Sequence, residues 1–529
     1  MIRIANGTVV DGTGCPAFVG DVWVEGDRIA AVEPCAESVQ IADASSVETI
    51  DATGLIVSPG FIDAHAHSDA YLVLEPDAPS KVTQGITTEI NGQCGGSIAP
   101  RYGEARLSGD WSALLGDRLT WRSLAEYREV LAVAKPAVNT VQFIGHNTLR
   151  SSVVGYAGRA ATSDERCEMC RLLEQALDEG GWGLTTGLIY QPGKYATDEE
   201  VEGLARVAAA HGGFYATHMR SEGDRILESI DEVIGLVRRT GIRAEISHLK
   251  TSGKRNWHKI DAVLEKMQTA VDAGELLGSD RYPYCAAGTD LDVLLPDWAQ
   301  EGAALAEMKR LKDTTLRQRI IDEIDALDRD WSTVMVGGTW AAENRPFSGK
   351  MIEEIIELSN NRMPSPLTPG EVICDILELD GCKTGAFFFG MSEENLAKIY
   401  ACPWIVPGSD ASLRAPWGPL ASDHPHPRAY ATMPEFYRRV RGLGASCEET
   451  VARMTSVPAR RFAIPNRGVL KKGAFADVVV WRESAFMARA TYRAPHQLSD
   501  GMKLVMVNGV VPYVNGAFTG NRAGRFLER

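Results

Sequence analysis

No stretch of the chain approaches the roughly 18 consecutive apolar residues that a membrane span requires, and the opening MIRIANGTVVDGTG lacks the apolar core of a secretion signal. A cytoplasmic location away from membranes is therefore expected. A basic excess is lacking too, because 55 Lys and Arg stand against 70 Asp and Glu for a net charge of -15, which argues against a nucleic-acid surface. Cysteine is sparse and irregularly spaced, ten residues in 529, so a disulfide framework is not expected. The one CxxC, Cys167 and Cys170, lies in the charged run SDERCEMCRLLEQALDEG and reads as a helix face rather than a metal site.

What the chain does have is alternation. The first fifty residues read as short strands, MIRIANGTVVDG, DVWVEGDRIAAVE and VETIDATGLIVSPG, separated by Gly, Asp and Asn turns. GVLKKGAFADVVVWRE and KLVMVNGVVPYVNG near the C-terminus read the same way, so 1–58 and 465–529 are expected to pair into one small β-sandwich domain. Over 59–464, strand-like runs alternate with helical patterns such as 164–179, 198–210 and 223–240, the mark of repeated βα units. The runs are GFIDAHAHSD, GITTEINGQCG, TVQFIGHNT, GLTTGLIYQ, GFYATHMRS, IRAEISHLK, LGSDRYPY and PWIVPGSDA. Eight units predict an α/β fold with a closed (β/α)8 TIM-like barrel, whose catalytic groups gather at the C-terminal strand ends. The spacing breaks between the seventh and eighth runs, where about 289–399 carry extra helices and the strand-like STVMVGGTW. An inserted, lid-like subdomain beside the site is expected there.

His65 and His67 lie two apart, and a strand's period of two turns both to one face. His218 ends FYATHMR and His248 ends AEISHLK, so four histidines occupy one kind of position on three strands. Packing histidines have no reason to choose that position repeatedly, whereas neutral imidazoles converging on a divalent ion do. Cys94, at the end of the second run among glycines, adds a thiolate and makes zinc the expected metal. Asp410, at the end of the eighth run, adds a carboxylate suited either to binding metal or to general acid–base work.

SPGFIDAHAHSD, GITTEINGQCG, YATHMRSEG, ISHLK, SDRYPY and PGSDAS together resemble the D-aminoacylase, or N-acyl-D-amino-acid deacylase, branch of the amidohydrolase superfamily over nearly the whole chain. The cysteine of the second strand is the more specific sign. Many superfamily members carry a bridging lysine on the fourth strand, and GLTTGLIYQ has none. The resemblance implies a tightly held zinc on Cys94, His218 and His248, and a second, weaker metal position lined by His65, His67 and Asp410. It further implies zinc-dependent hydrolysis of the amide of a small-molecule N-acyl-D-amino acid, with Asp410 taking a proton from water and passing it to the departing nitrogen.

A substrate carboxylate needs cationic and hydroxyl donors, and Lys250, Arg220, Tyr190, Tyr282 and Tyr284 are the candidates at strand ends. Lys250 and Tyr190 match the family's carboxylate contacts by motif. In the loop AAGTDLDVLLPDWAQEG the family carries a further carboxylate-gripping arginine, and this chain has Leu294 and Leu295. Trp340, Arg345 and Phe347 of the insert, and Arg414, His424 and His426 after Asp410, are expected at the rim. A cyclic amide or ureide hydrolase with the same metals is the alternative enzyme reading, and a non-catalytic scaffold relative the alternative of another class.

Overall fold

A computed structural model describes residues 1–34, 47–107, 111–360 and 366–529. Its centre is the expected barrel. The parallel strands are Phe61–Asp63, Ile86–Asn91, Asn139–Gln142, Gly183–Gly187, Phe214–His218, Arg243–Ile246, Leu277–Arg281 and Ile405–Pro407. The first three form one sheet and the last five another, which begins with a short strand at Ile144–Gly145 after a break at Phe143. Two seams join the sheets: Trp182 N donates to Gln142 O on one side, and Ala64 N to Pro407 O and Asp410 N to His65 O on the other.

The outer helices follow from local rules. Thr162 accepts from Glu165 N while Glu165 returns a bond to Thr162 N, a reciprocal cap that starts the helix Ser163–Asp178. The helix Ile226–Thr240 buries Ile226, Ile230, Val233, Ile234 and Val237 at helical spacing and stops at Gly241, whose φ of 70° suits glycine. At one end, Ile62, Ile90, Val141, Trp182, Phe214, Val406, Phe462 and Leu527 fill the barrel with apolar packing. Polar groups therefore concentrate at the other end, where the strands terminate. Among the described residues no helix is long and apolar enough to cross a membrane.

Strands from both chain ends build one nine-stranded sheet, in which Ile56–Pro59 pairs antiparallel with Val478–Trp481. Ile4, Val22, Val24 and Ile29 from its N-terminal strands share a core with Val478, Val480, Leu504 and Met506 from its C-terminal strands, so the sheet folds over a common apolar layer. Between the seventh and eighth barrel strands, Ala287–Asp290, Val334–Val336 and Gly385–Phe388 form a small antiparallel sheet. Helices Ala303–Lys312, Thr314–Asp325, Ile352–Asn360 and Pro369–Asp380 complete the insert around its own core, which takes in Leu291, Leu294, Leu295, Ile320, Ile352 and Ile373.

That insert core holds two carboxyl groups, Asp292 and Glu307, beside buried Cys382. Burial pushes both up, Asp292 further through the adjacent Glu307 carboxylate, to about 7. Between the ordinary carboxylate range and that raised value the folded chain binds more protons than the unfolded one, so stability falls as pH rises through this window. Glu307→Gln keeps the polar contact without the proton. The wild-type melting temperature is expected to drop between pH 5 and pH 8 by more than that of Glu307→Gln, a difference of about 1–2 kcal/mol in stability; parallel curves in the two proteins would refute the raised Glu307 carboxyl.

Candidate metal centre

The first barrel strand gives way to Ala64, His65, Ala66 and His67, and the backbone continues its pairing as Ala66 N donates to Ile90 O and His67 N to Ala411 O. Alternate residues consequently face inward, and the His65 and His67 rings lie with centroids 5.3 Å apart. His218 closes the fifth strand, and His248 lies just past the sixth. Cys94 follows the second strand in a turn pressed so close to the fourth that a Cβ on Gly187 would lie 2.1 Å from Cys94 O. Only glycine fits there.

Three of the six expected ligands have left-handed backbones: Cys94 at φ 53°, His248 at φ 37° and Asp410 at φ 49°. Such conformations cost on the order of 1–3 kcal/mol each and persist where surrounding bonds fix them, commonly at functional sites. Here His248 N donates to Asp280 Oδ1 at 3.0 Å and Asp410 N to His65 O at 2.8 Å.

Cys94 Sγ is the hub. It lies 3.4 Å from His65 Nε2, 3.3 Å from His248 Nε2 and 3.8 Å from His218 Nδ1. Asp410 Oδ1 stands 3.1 Å from His67 Nε2 and 3.5 Å from His65 Nε2. Two donor sets result, Cys94–His218–His248 and His65–His67–Cys94–Asp410, each with ligand atoms within 4.8 Å of one another. Burial by itself would push the Cys94 thiol up, but His65 and His248 beside it hold it well below the usual thiol range, as a thiolate. Burial would likewise lower the imidazoles, yet Asp280 and Cys94 raise His65, Asp410 and Cys94 raise His67, and Asp410, Cys94 and Glu222 carry His248 to about 10 against both burial and Lys250. The field that favours these protons favours a cation equally, and a thiolate among imidazoles with one carboxylate is a donor set that fits zinc.

Several groups that shape the site carry no signal in the sequence. Asp280, at the end of the seventh strand, places Oδ2 3.2 Å from His65 Nδ1 while its other oxygen holds the His248 backbone. Buried Lys81 donates to Asp63 Oδ2 at 2.9 Å, to Ser409 Oγ at 3.1 Å and to Ala411 O at 3.0 Å, and lies 2.9 Å from Glu89 Oε1, pinning the turn around Asp410. Arg428 sets Nη1 2.8 Å from Asp410 Oδ2 and its guanidinium carbon 4.5 Å from the Tyr282 ring centre. Burial would raise the Asp410 carboxyl, but Arg428, His248, His67 and His65 hold it well below the carboxylate range. The segment HPHPR, which ends in Arg428, suggests in sequence terms only a rim loop.

The expected substrate contacts divide. Tyr282 is fully buried near the centre, its ring 6.4 Å from that of His248 and 4.0 Å from the Arg281 guanidinium carbon. Burial would push its phenol up, yet Lys250, Arg281 and Arg428 bring it below the usual range. Tyr190 stacks edge-on against His218 at 4.8 Å and bonds to Thr289 of the insert, which ties the insert to the site. Lys250 lies behind His248, donating to Glu222 and to His248 O. Two candidates are not brought to the cluster. Arg220 turns to Glu232 Oε1 at 3.0 Å and Ala196 O at 3.0 Å, because the facing helix Ile226–Thr240 supplies a carboxylate to it. Tyr284 packs with His426 and Tyr492, at 5.2 and 6.1 Å.

His426 donates through Nε2 to Ala286 O at 3.1 Å, with the Tyr492 hydroxyl 3.2 Å from the same nitrogen, while its Nδ1 accepts from Arg428 N. His424 Nε2 meets Tyr492 O at 2.7 Å. Both histidines thus bind the insert and the segment around Tyr492 together, away from either donor set. Trp340 and Arg345 are exposed on the insert, and Arg414 pairs with Asp423 at 2.8 Å. Cys167 is exposed and Cys170 half-buried on the helix Ser163–Asp178.

Comparison with known proteins agrees with this geometry. The Amidohydrolase family matches residues 48–355. An N-acyl-D-glutamate deacylase of Alcaligenes xylosoxydans xylosoxydans is 33% identical, over 99% of this chain and 96% of its own. A crystal structure of D-aminoacylase superposes with a TM-score of 0.82 at 32% identity, over 100% of this chain and 99% of that one. The N-acyl-D-glutamate deacylase of Bordetella bronchiseptica, solved with zinc and a phosphonate mimic of the tetrahedral intermediate, gives a TM-score of 0.82 at 30% identity over the same shares. With its second-strand cysteine at the hub of both donor sets, the chain belongs to the amidohydrolase family, in its D-aminoacylase branch.

Proposed function

We propose that the protein hydrolyses the amide bond of N-acyl-D-amino acids to a carboxylate and a D-amino acid, using zinc on Cys94, His218 and His248 with a weaker second position at His65, His67 and Asp410. The observation that carries this reading is Cys94 Sγ within 3.8 Å of three imidazole nitrogens, in a chain alike over its whole length to deacylases of that class. A bound divalent ion supplies Lewis acidity, polarising the amide carbonyl and easing deprotonation of water.

The chain's own groups do the rest. Asp410, ionised by its cationic neighbours, accepts the water proton and returns it to the departing nitrogen. Tyr282, with a buried hydroxyl, and Arg428 beside it are placed to take the substrate carboxylate, with Lys250 and Tyr190 completing that wall. Leu294 and Leu295 are buried in the insert's apolar core, and the loop AAGTDLDVLLPDWAQEG contributes no Lys or Arg. An acidic side chain would find no cation from that loop, so substrates with a single carboxylate are favoured over N-acyl-D-glutamate and N-acyl-D-aspartate.

The test is metal analysis of the purified chain together with hydrolysis of a panel of N-acetyl-D- and N-acetyl-L-amino acids and a hydantoin. Stoichiometric zinc and turnover confined to D-substrates, greatest for uncharged side chains, is the expected result. Sub-stoichiometric zinc would remove the metal from the mechanism, and turnover of the hydantoin alone would replace the linear amide with a cyclic one.

A further inference from the structure

Glu222 lies four residues beyond His218, is 7% exposed, and has no part in the chemistry above. Its two oxygens reach two different histidines. Oε1 is 3.0 Å from His248 Nδ1, and Oε2 is 3.4 Å from His218 Nε2. The opposite nitrogen of each ring, His248 Nε2 and His218 Nδ1, is the one that faces Cys94 Sγ. The rings stand at 77° with centroids 4.5 Å apart, so one carboxylate lies between them, against His248 Nδ1 and, at 3.4 Å, within ionic reach of His218 Nε2 without a hydrogen bond to it. Lys250 Nζ donates to the same Oε1 and to His248 O at 3.0 Å; it also stands 2.7 Å from His248 Nδ1, to which an ammonium can only donate, so the Nδ1–H tautomer requires Glu222 Oε1 to hold the ammonium's protons in place of the ring.

A neutral imidazole offers a lone pair at one nitrogen only when its proton sits on the other, and an acceptor at that other nitrogen decides the tautomer. His218 and His248 need opposite tautomers, because they turn different nitrogens inward. We infer that Glu222 is a positioning residue shared by both histidines, fixing their tautomers and ring orientations with Lys250 as its counter-cation, and thereby setting the zinc affinity of the Cys94–His218–His248 set. The other set has its own support in Asp280, whose carboxylate meets His65 Nδ1.

This inference rests on the zinc reading above. Zinc affinity is to be measured on the full chain by competition with a chromophoric chelator, alongside the melting temperature of the zinc-free protein, for wild type, Glu222→Gln, Glu222→Asp and Asp280→Asn. Glu222→Gln leaves one ring facing an amide NH2 instead of an acceptor. It is expected to weaken the first zinc equivalent about 10- to 100-fold with little change in the zinc-free melting temperature. Glu222→Asp, too short to span both rings, should fall between, and it serves alone if the glutamine variant does not fold. Asp280→Asn keeps an acceptor for His248 N but turns its amide toward His65, so it should weaken the second equivalent more than the first. Wild-type affinity in both Glu222 variants would overturn the positioning role alone, as would a loss of affinity matched by collapse of the zinc-free melting transition. Failure of the wild type to bind zinc would overturn the metal reading as well.

Discussion

Asp410→Asn is expected to lower kcat for an N-acyl-D-amino acid by about 10²- to 10⁴-fold, the span assigned to a positioned proton-transfer group, while zinc stays bound to Cys94, His218 and His248. The substitution is nearly isosteric and leaves the main-chain bond from residue 410 N to His65 O, at 2.8 Å, untouched. What it removes is the only carboxylate that stands 3.1 Å from His67 Nε2 and 3.5 Å from His65 Nε2 among the groups of the two donor sets. Burial would raise that carboxyl, but Arg428, His248, His67 and His65 keep it well below the ordinary carboxylate range, so it is ionised wherever the enzyme works. A depressed carboxylate contributes stability above its unfolded value, about 4, that disappears only as pH falls through the lower folded value. Loss of activity between pH 5 and 7 in the wild type would therefore belong to groups other than Asp410. The amide also leaves the Arg428 guanidinium without its anion, so zinc content and a thermal melt must accompany the kinetics. Near-normal turnover in a folded, zinc-loaded variant would remove Asp410 from proton transfer.

Much of this centre is legible in the sequence because metal sites on barrels repeat a position. His65, His67, Cys94, His218, His248 and Asp410 each follow an apolar strand-like run, and that regularity survives without any knowledge of neighbouring strands. The supporting groups follow no such rule. Glu222 is an ordinary acid in a polar loop and Asp280 one at the end of a strand, and their meaning arises only when the barrel curls until Glu222 meets His248, 26 positions along the chain, and Asp280 meets His65, which is 215 away. Lys81 lies in the short helix Pro79–Val82 and is fully buried among Asp63, Glu89 and Ser409, a placement that nothing local in the sequence indicates. Arg220 illustrates the opposite failure. A cation two residues past a ligand histidine has the right address, but the helix Ile226–Thr240 presents Glu232 to it, and the nearer carboxylate decides. Side-chain direction at strand ends is set by such partners rather than by the strand's own period.

Cys94→Ala should have the other large effect, because it strips a ligand from both donor sets at once. A zinc site of about four protein ligands worth 10–16 kcal/mol gives on the order of 3 kcal/mol per ligand, a loss of about 10²-fold in affinity for each position. The thiolate matters beyond its count. His65 and His248 hold it ionised, and its negative charge in turn supports the raised imidazoles around it, so removing it weakens the whole cluster's attraction for a cation. Cys94→Ser is expected to behave like alanine, since a hydroxyl stays protonated at neutral pH and is a poor zinc ligand. His67→Ala offers the contrast. Its side chain is 28% exposed, it belongs only to the set containing Asp410, and its removal should leave the first zinc in place. Zinc content after dialysis against a chelator separates the cases: both Cys94 variants should emerge depleted and inactive, and His67→Ala should retain its metal. Full zinc retention in Cys94→Ala would mean that His65, His67 and Asp410 form the tight position and that the hub has been assigned to the wrong atom.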